Sequence, residues 1–418
     1  MSYLDEHHVD PMGHLRLVAP LNQAGIEIIR GVVGNQVIPE YVFKGDIVVI
    51  QRHFPVMYES FRKIVDLARQ MNKPVIYEID DWLLELPAEH PDRLAHLYTS
   101  SLLPILEAII EADLITVPTE VLRDTIIPLN PNVAVLANYF DDSLWQFRDL
   151  AEESSSDHLI VGYMGTRSHE PDLEFVVPVL LEILHEYSSR VQLNFWGVEP
   201  PFALRGFVNV KHFPWFSYCY SDFAKYFQHQ KADIFIAPLA DNLFNRCKSP
   251  LKYFEYTALG VPVVLSAIEP YISVVENGRN GLLASSMEDW RKNLVRLIED
   301  RDLRKRIARY AQRTISDKWL LSKNVYRWKE IYEKVLTGEI RKPSRVNPPF
   351  IGILRSLNIQ LFDVFQHQKS LIESQQSRIA HLETRVHQYE SEIVQYLTSR
   401  SWRYTRPLRK LDQFIKRV

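Results

Sequence analysis

The sequence predicts an α/β protein: two tandem Rossmann-like, doubly wound domains, followed by a C-terminal coiled-coil helix and a basic amphipathic tail. Three observations carry that expectation. Up to about residue 320, short apolar runs rich in β-branched residues alternate with helix-length segments, the pattern of parallel strands buried on both faces by helices. The polar stretch FRDLAEESSSDH, 147–158, divides those runs into two series and reads as an interdomain linker. Beyond residue 355 the apolar residues recur at heptad spacing.

The first series gives strands at 46–51 (DIVVIQ), 74–79 (PVIYEI), 114–118 (LITVP) and 133–137 (VAVLA), with helices expected over 57–71 and 93–112. These make a first domain over 1–150. The second gives strands at 159–165 (LIVGYMG), 191–197 (VQLNFWG), 208–213 (VNVKHF), 233–238 (DIFIAP) and 261–266 (VPVVLS), with helices over 172–187, 220–231 and 250–259. They make a second domain over 156–320. An amphipathic closing helix follows at 320–338, then a Pro-rich linker at 339–354 containing RKPSRVNPP. The coiled coil is expected over 355–398, with Phe365, Ile372, Ile379, Val386 and Ile393 on one seam position and Gln368, Gln375, Leu382, Tyr389 and Tyr396 on the other. The tail occupies 399–418; from Arg400 on it holds seven Arg or Lys against one Asp, interleaved with Trp402, Tyr404, Leu408, Leu411, Phe414 and Ile415.

Composition narrows the function. With 46% hydrophobic residues in 418, the chain has ample core for two to three domains. A formal charge of −3 argues against a nucleic-acid partner. Two cysteines, Cys219 and Cys247, exclude a disulfide framework or zinc cluster and suit a reducing compartment. The start, MSYLDEHHVDPMGHL, lacks a signal-peptide pattern, and the apolar runs fall short of the ~20 residues of a membrane span. The expectation is a cytoplasmic chain whose membrane contact is peripheral.

The chemistry concentrates in CKSPLKYFEYTALGVPVVLS, 247–266. Ser249 is placed to cap a helix, Pro250 suits its first position, and Gly260 with Pro262 ends it. Lys248, Ser249 and the helix N-terminus make a phosphate site. Glu255, almost two turns on, can accept from the vicinal hydroxyls of a ribose. On spacing alone, Lys252 and Glu255 read equally well as an exposed i,i+3 pair. In the first domain, Asp80 and Asp81 follow the strand of KPVIYEIDDWLLELP; one of them would face the cleft and orient or deprotonate a hydroxyl, the other reading being a helix cap. Arg52 and His53, in QRHFP, end the preceding strand as acceptor contacts or as structural residues. NYFDDSLW, 138–145, shapes the domain junction.

The stretch NRCKSPLKYFEYTALGVPVVLSAIEPYISVVENGRNGLL resembles the donor-binding region of GT-B glycosyltransferases, specifically the retaining group 1 (GT4-like) enzymes with two spaced glutamates. The resemblance extends over most of 40–335. It implies that Glu255 binds the donor ribose. At the position of the first glutamate this chain has Cys247, a departure that bears on which sugar is handled and whether transfer occurs. IVGYMGTRSHEPDLEFVVPVL resembles the first strand and loop of the nucleotide-binding domain, where Gly165 admits the diphosphate and Arg167 pairs with it; His169 and Asp172 end that loop, with Asp172 also readable as a cap. The donor set implied is Gly165, Thr166, Arg167, His169, Asn245, Lys248, Ser249, Lys252 and Glu255. Asp80, Asp81 and Lys248 are the expected catalytic groups, with Arg52 and His53 toward the acceptor.

The resemblance thus implies a glycosyltransferase that moves a sugar from a nucleotide-diphosphate sugar to a glycan or lipid-linked glycan of a cell-surface polysaccharide, with retention and without metal or cofactor. The alternatives are a sugar-nucleotide epimerase on the same fold, and a catalytically silent glycan-binding scaffold oligomerised by its coiled coil. Residues 400–418, with their Ser–Trp and Thr–Arg–Pro–Leu–Arg pattern, resemble the endings of bacterial surface-polysaccharide glycosyltransferases and suit an anionic membrane surface. The coiled coil would join copies of the chain or hold a partner enzyme.

Overall fold

A computed structural model of the chain describes residues 10–149 (except 35), 159–340 (except 215, 216 and 218), 348–398, 400, 404 and 405. The expected linker from 150 on and nearly all of the basic tail lie outside the described residues.

Two parallel sheets form the frame. In the first, strands β1 (Val48–Gln51), β2 (Val75–Glu78), β3 (Leu114–Val117) and β4 (Val133–Val135) lie side by side in chain order. All three neighbouring pairs are parallel. Every residue of β2 and β3 is buried, as continuous apolar runs require when helices cover both faces. The connections include helices α1 (Tyr58–Gln70), α2 (Leu102–Glu111) and α3 (Glu120–Ile126).

The second sheet has six strands: β5 (Leu159–Gly165), β6 (Val191–Gly197), β7 (Val210–Pro214), β8 (Ile234–Ala237), β9 (Val263–Ser266) and β10 (Leu282–Ala284). Their order is β10-β9-β8-β5-β6-β7, all parallel. The chain winds one way from β5 and the other from β8, so the topological switch point lies between these two strands, where open α/β sheets bind ligands. Gly162 of β5 is dictated by packing, because a Cβ there would stand 2.6 Å from the Phe235 ring of β8. Helices α4 (Glu170–Glu186), α5 (Tyr220–Phe227), α6 (Leu243–Cys247), α7 (Leu251–Ala258), α8 (Met287–Glu299) and α9 (Arg301–Lys318) complete the layers.

The segment expected as one closing helix over 320–338 is broken. Leu320 makes a bridge with Phe140, a helical turn covers Leu321–Asn324, and α10 begins at Tyr326 and runs to Leu336. It returns the chain to the first sheet: Trp328, Tyr332 and Val335 pack with Leu17, Ile76 and Leu114. The Pro-rich segment also ends sooner than expected, since α11 (Pro348–Thr398) starts seven residues before 355. Proline is tolerated in a first helical turn, where its missing N–H would be unpaired anyway, and Ile351 and Leu354 are buried against Ile110. The chain divides into two compact units, residues 1–355 and 356–418; the second consists, among described residues, of the remainder of α11 and the three residues beyond it. No helix among the described residues is long and apolar enough to cross a membrane.

Candidate functional site

The site is built where the carboxyl ends of both sheets meet. On the second domain's side, β5 ends at Gly165, and a 3-10 turn over Arg167–His169 leads into α4. That turn sends Arg167 outward, four-fifths exposed and 3.9 Å from Glu170, apart from the buried cluster. His169 goes inward. Its Nδ1 lies 3.0 Å from Asp172 Oδ2 and its Nε2 2.9 Å from Lys252 Nζ. An ammonium can only donate, so Nε2 accepts and Nδ1 carries the proton toward Asp172. Burial, together with the Lys252 charge, pushes the imidazole down to about 4, which keeps it neutral. Burial, then Lys248, pushes the Lys252 ammonium down to about 8. The expected i,i+3 pair on an exposed face is therefore not what forms: Lys252 is only partly exposed and Glu255 is buried.

Asp172 joins the two loops of the switch point. Its Oδ1 accepts from Ala240 N at 2.9 Å and from Asn245 Nδ2 at 2.8 Å. Asn245 gives its other amide proton to Ala240 O at 2.9 Å. Its amide protons are thus committed to the loop, so it holds the frame and does not present a donor to the cleft. Thr166 is exposed, its hydroxyl 2.8 Å from that of Ser168. Gly165 is required by its neighbour: a Cβ would stand 2.7 Å from the Tyr163 hydroxyl. That hydroxyl is itself buried with no hydrogen-bond partner among described residues.

Helix α7 carries the next layer. Its N-cap residue is Pro250, with no side-chain cap. Ser249 does not cap it, contrary to expectation, because its hydroxyl instead accepts from Asn138 Nδ2 at 2.7 Å across the domain junction. The helix still leaves its first N–H groups without intrahelical acceptors and presents its positive end there. Glu255 is 5% exposed and accepts from the Tyr220 hydroxyl at 3.0 Å. Tyr220 in turn lies 3.2 Å from Trp145 Nε1, which donates to it. Burial pushes the Glu255 carboxyl up to about 7 against the pull of the Tyr220 bond and Lys252. Tyr220 and Trp145 bring α5 and the NYFDDSLW segment to this carboxylate, partners that no local spacing foretells.

Cys247 is fully buried, its Sγ 3.8 Å from Thr125 Oγ1 on α3. Burial pushes the thiol up to about 11, so position 247 offers the site no charge. Lys248 faces the other way. Its Nζ stands over the Phe244 ring at 4.2 Å and 3.8 Å from Asp81 Oδ1 on the first domain.

Across the junction, the ends of β1 and β2 hold Gln51, Arg52, His53, Asp80 and Asp81. Arg52 adopts a left-handed backbone (φ 51°), an uncommon conformation for a side-chain-bearing residue. It turns its guanidinium onto both acids: Nη2 donates to Asp81 Oδ2 at 3.1 Å, and Nε lies 3.1 Å from Asp80 Oδ1. The second contact has ion-pair distance without hydrogen-bond alignment, since both atoms lack a hydrogen-bond partner among the described residues. Burial, with Asp81 beside it, raises Asp80 well above the usual carboxylate range despite Arg52. Asp81 is held below that range, its burial outweighed by Lys248 and Arg52. Both amide atoms of Gln51 and Nδ1 of His53 are also buried without partners among the described residues. Sequence reasoning missed Gln51; an uncharged amide at a strand end gives no signal until its isolation is seen. Behind this layer Arg16 and Glu78 pair fully buried, with Nε to Oε1 at 2.7 Å, and Thr116 also donates to Glu78. Among the described residues, no three His, Cys, Asp or Glu side chains gather in a way that could hold a metal ion.

The assembled site has two cations and a helix N-terminus on one wall and a buried carboxylate further along it. The adjacent Asp80 and Asp81, with polar groups that have no partner among the described residues, stand on the other wall. The first wall can hold a diphosphate and a diol; the second can bind and deprotonate a hydroxyl.

Comparison with known proteins agrees with this architecture. Residues 158–300 match the family model described as glycosyl transferases group 1. The fold is similar to that of Alr3699/HepE from Anabaena, crystallised with UDP and glucose, at 16% identity over 71% of this chain and 80% of that one, with a TM-score of 0.51. It is similar to sucrose-phosphate synthase from Thermosynechococcus elongatus, at 12% identity over 72% and 78% with a TM-score of 0.53. It is also similar to TarM, an S. aureus protein, at 14% identity over 72% of this chain and 59% of that one, with a TM-score of 0.52. At such identities the likeness is one of fold. No curated protein matches the chain by sequence. The chain resembles the group 1 glycosyltransferases of the GT-B fold.

Proposed function

We propose that this chain is a glycosyltransferase that takes a sugar from a nucleoside-diphosphate donor and passes it to a hydroxyl of a glycan acceptor. The observation that carries this reading is the placement of Lys252 and the buried Glu255 on one helix, α7, beyond the carboxyl ends of the second sheet, with Lys248 3.8 Å from Asp81 of the opposing Asp80–Asp81 pair. The diphosphate rests on the α7 N-terminus between Lys248 and Lys252, and the ribose hydroxyls displace Tyr220 from Glu255. In the similar fold of HepE the bound molecules are UDP and glucose, which supports a donor of this chemical class. Asp80, whose carboxyl is raised, takes the acceptor proton, while Arg52 and Asp81 orient the hydroxyl with Gln51 and His53. Departure of the diphosphate is assisted by the two lysines. No metal or cofactor enters this scheme: Arg52 and Lys248 already neutralise the paired acids.

The remaining parts extend the reading. Retention of configuration, a lipid-linked acceptor in surface-polysaccharide synthesis and a cytoplasmic place at the inner membrane face accord with the sequence resemblance. The basic segment 400–418 would meet anionic lipid there, and α11 would join copies of the chain or a partner enzyme. A second reading is favoured by one observation. The buried, neutral Cys247 stands where the resemblance implies a glutamate, which suits a protein that binds the donor without transferring its sugar.

Thermal-shift measurements with UDP, GDP, ADP and dTDP sugars test the proposal. One nucleotide is expected to raise the melting temperature, and Glu255→Ala to abolish the gain. No response to any of the four contradicts it. A response without transfer to any glycan supports the silent reading.

A further inference from the structure

We infer that residues 361–396 of α11 form a parallel, in-register, two-stranded coiled coil with a second copy of this chain. This deepens the oligomer reading above and does not depend on the transfer chemistry.

The helix is continuous through Thr398, and its apolar stripe is bare. Ile372, Ile379, Val386 and Ile393, all at heptad position a, are between 53% and 57% exposed, and Leu382 and Tyr389 at position d are about as open. The outer positions b, c and f between 366 and 395 are polar throughout except Ala380 and Val394. A stripe of this regularity, repeating every seven residues, is the signature of a supercoiled partner. Branched Ile and Val at four of the five a positions, with Leu382 at the central d position, favour two strands.

Charges identify that partner as the same sequence and set its direction. Position g holds Arg378 and Arg385; position e of the following heptad holds Glu383 and Glu390. In a parallel dimer each g residue faces the next e residue of the other helix. Arg378 then meets Glu383 and Arg385 meets Glu390, each pair occurring twice by symmetry. In an antiparallel dimer g faces g and e faces e, setting Arg against Arg and Glu against Glu. The two polar core residues agree. Parallel register places Gln368 on Gln368 and Gln375 on Gln375, where side-chain amides can hydrogen-bond to their own copies. Antiparallel packing would bury them against apolar a residues instead, leaving their amides unpaired. A different protein would have to reproduce both the charge order and the glutamine layers.

The test uses the full chain. Light scattering on the eluting protein should give twice the 49.0 kDa chain mass; a monomer at micromolar concentration overturns both the oligomer reading and this inference, and a trimer overturns the two-stranded form. Ile393→Cys in a Cys219→Ser background should oxidise to a covalent dimer, because position a meets its own copy only in parallel register. A non-covalent dimer that fails to cross-link overturns the parallel arrangement while leaving the oligomer reading standing. Arg378→Glu with Arg385→Glu should weaken self-association by about tenfold or more, through like-charge pairs. Mixing that chain with Glu383→Arg, Glu390→Arg should restore a mixed dimer. Unchanged self-association of the reversed chain contradicts the assigned pairs, and unaltered thermal unfolding of the body shows that the substitutions act only on the helix.

Discussion

Lys252 Nζ stands 2.9 Å from His169 Nε2, while the other ring nitrogen of His169 is 3.0 Å from Asp172. A carboxylate on α4 thereby aims an ammonium on α7 through a neutral imidazole. The three side chains come from separate elements and are fixed by burial, so the cation is positioned before any ligand arrives.

Nucleotide affinity should therefore depend on pH through Lys252. Its ammonium is pushed down to about 8, so the free protein loses this charge as pH rises past that value. Binding of a diphosphate restores the charge and takes up a proton there. Calorimetry in buffers of different ionisation heat should register that uptake near pH 8 and weaker binding above it. Lys252→Ala should cost about ten- to a hundredfold in affinity and abolish the proton uptake. His169→Ala should weaken binding less, by freeing the ammonium rather than removing it.

Glu255 is held in a place that suits its ligand better than its own charge. Its carboxyl is raised from 4.5 to about 7 by burial. A raised folded value stabilises the protein fully below the unfolded value, and that contribution is lost as pH climbs through about 7. Glu255→Gln, which keeps an acceptor for Tyr220, should stabilise the ligand-free protein above neutrality by roughly 1–3 kcal/mol. The same change should eliminate nucleotide binding. Melting curves at acid and alkaline pH check the sign, since the gain should vanish below about pH 4.5.

The first-domain groups should separate binding from transfer. Asp80→Asn leaves the donor wall intact, so nucleotide affinity should hold while the transfer rate falls by about 10²–10⁴. Gln51→Ala should raise the acceptor KM with little change in donor affinity, because its two amide atoms lie buried beside the acids without a partner among the described residues. Initial rates over a grid of donor and acceptor concentrations read both effects.

Behind the site, Arg16 is fully buried against Glu78 and also donates to Leu136 O and Asn138 Oδ1. Arg16→Met should destabilise by about 3–5 kcal/mol, because it leaves the buried Glu78 carboxyl without its ion-pair partner. Adding Glu78→Leu should recover part of the loss. Chemical denaturation of the parent and the two variants provides the comparison.

The sequence was most legible where one physical cause acted alone. β5 and β6 match their expected limits, 159–165 and 191–197, because long β-branched and aromatic runs buried on both faces admit no other element. β10 went unseen: three residues, Leu282–Ala284, between a glycine turn and two serines carry too little periodicity. The helix expected over 93–112 begins only at Leu102, after turns in which His96 takes a left-handed backbone. Ser249 was misread because its hydroxyl is taken by Asn138, more than a hundred residues away. Lys252 and Glu255 were visible as residue types at a helix start. Their partners His169 and Tyr220 became visible as partners only when the sheet order brought α4 and α5 to α7.

Whether a nucleoside diphosphate lies against α7 is decided by a crystal structure with the nucleotide that most raises the melting temperature. Phosphate oxygens should lie within hydrogen-bond distance of Lys252 Nζ and the α7 N-terminal N–H groups, with both ribose hydroxyls on the Glu255 carboxylate and Tyr220 displaced. A nucleotide bound elsewhere, with the Tyr220–Glu255 bond intact, would contradict it.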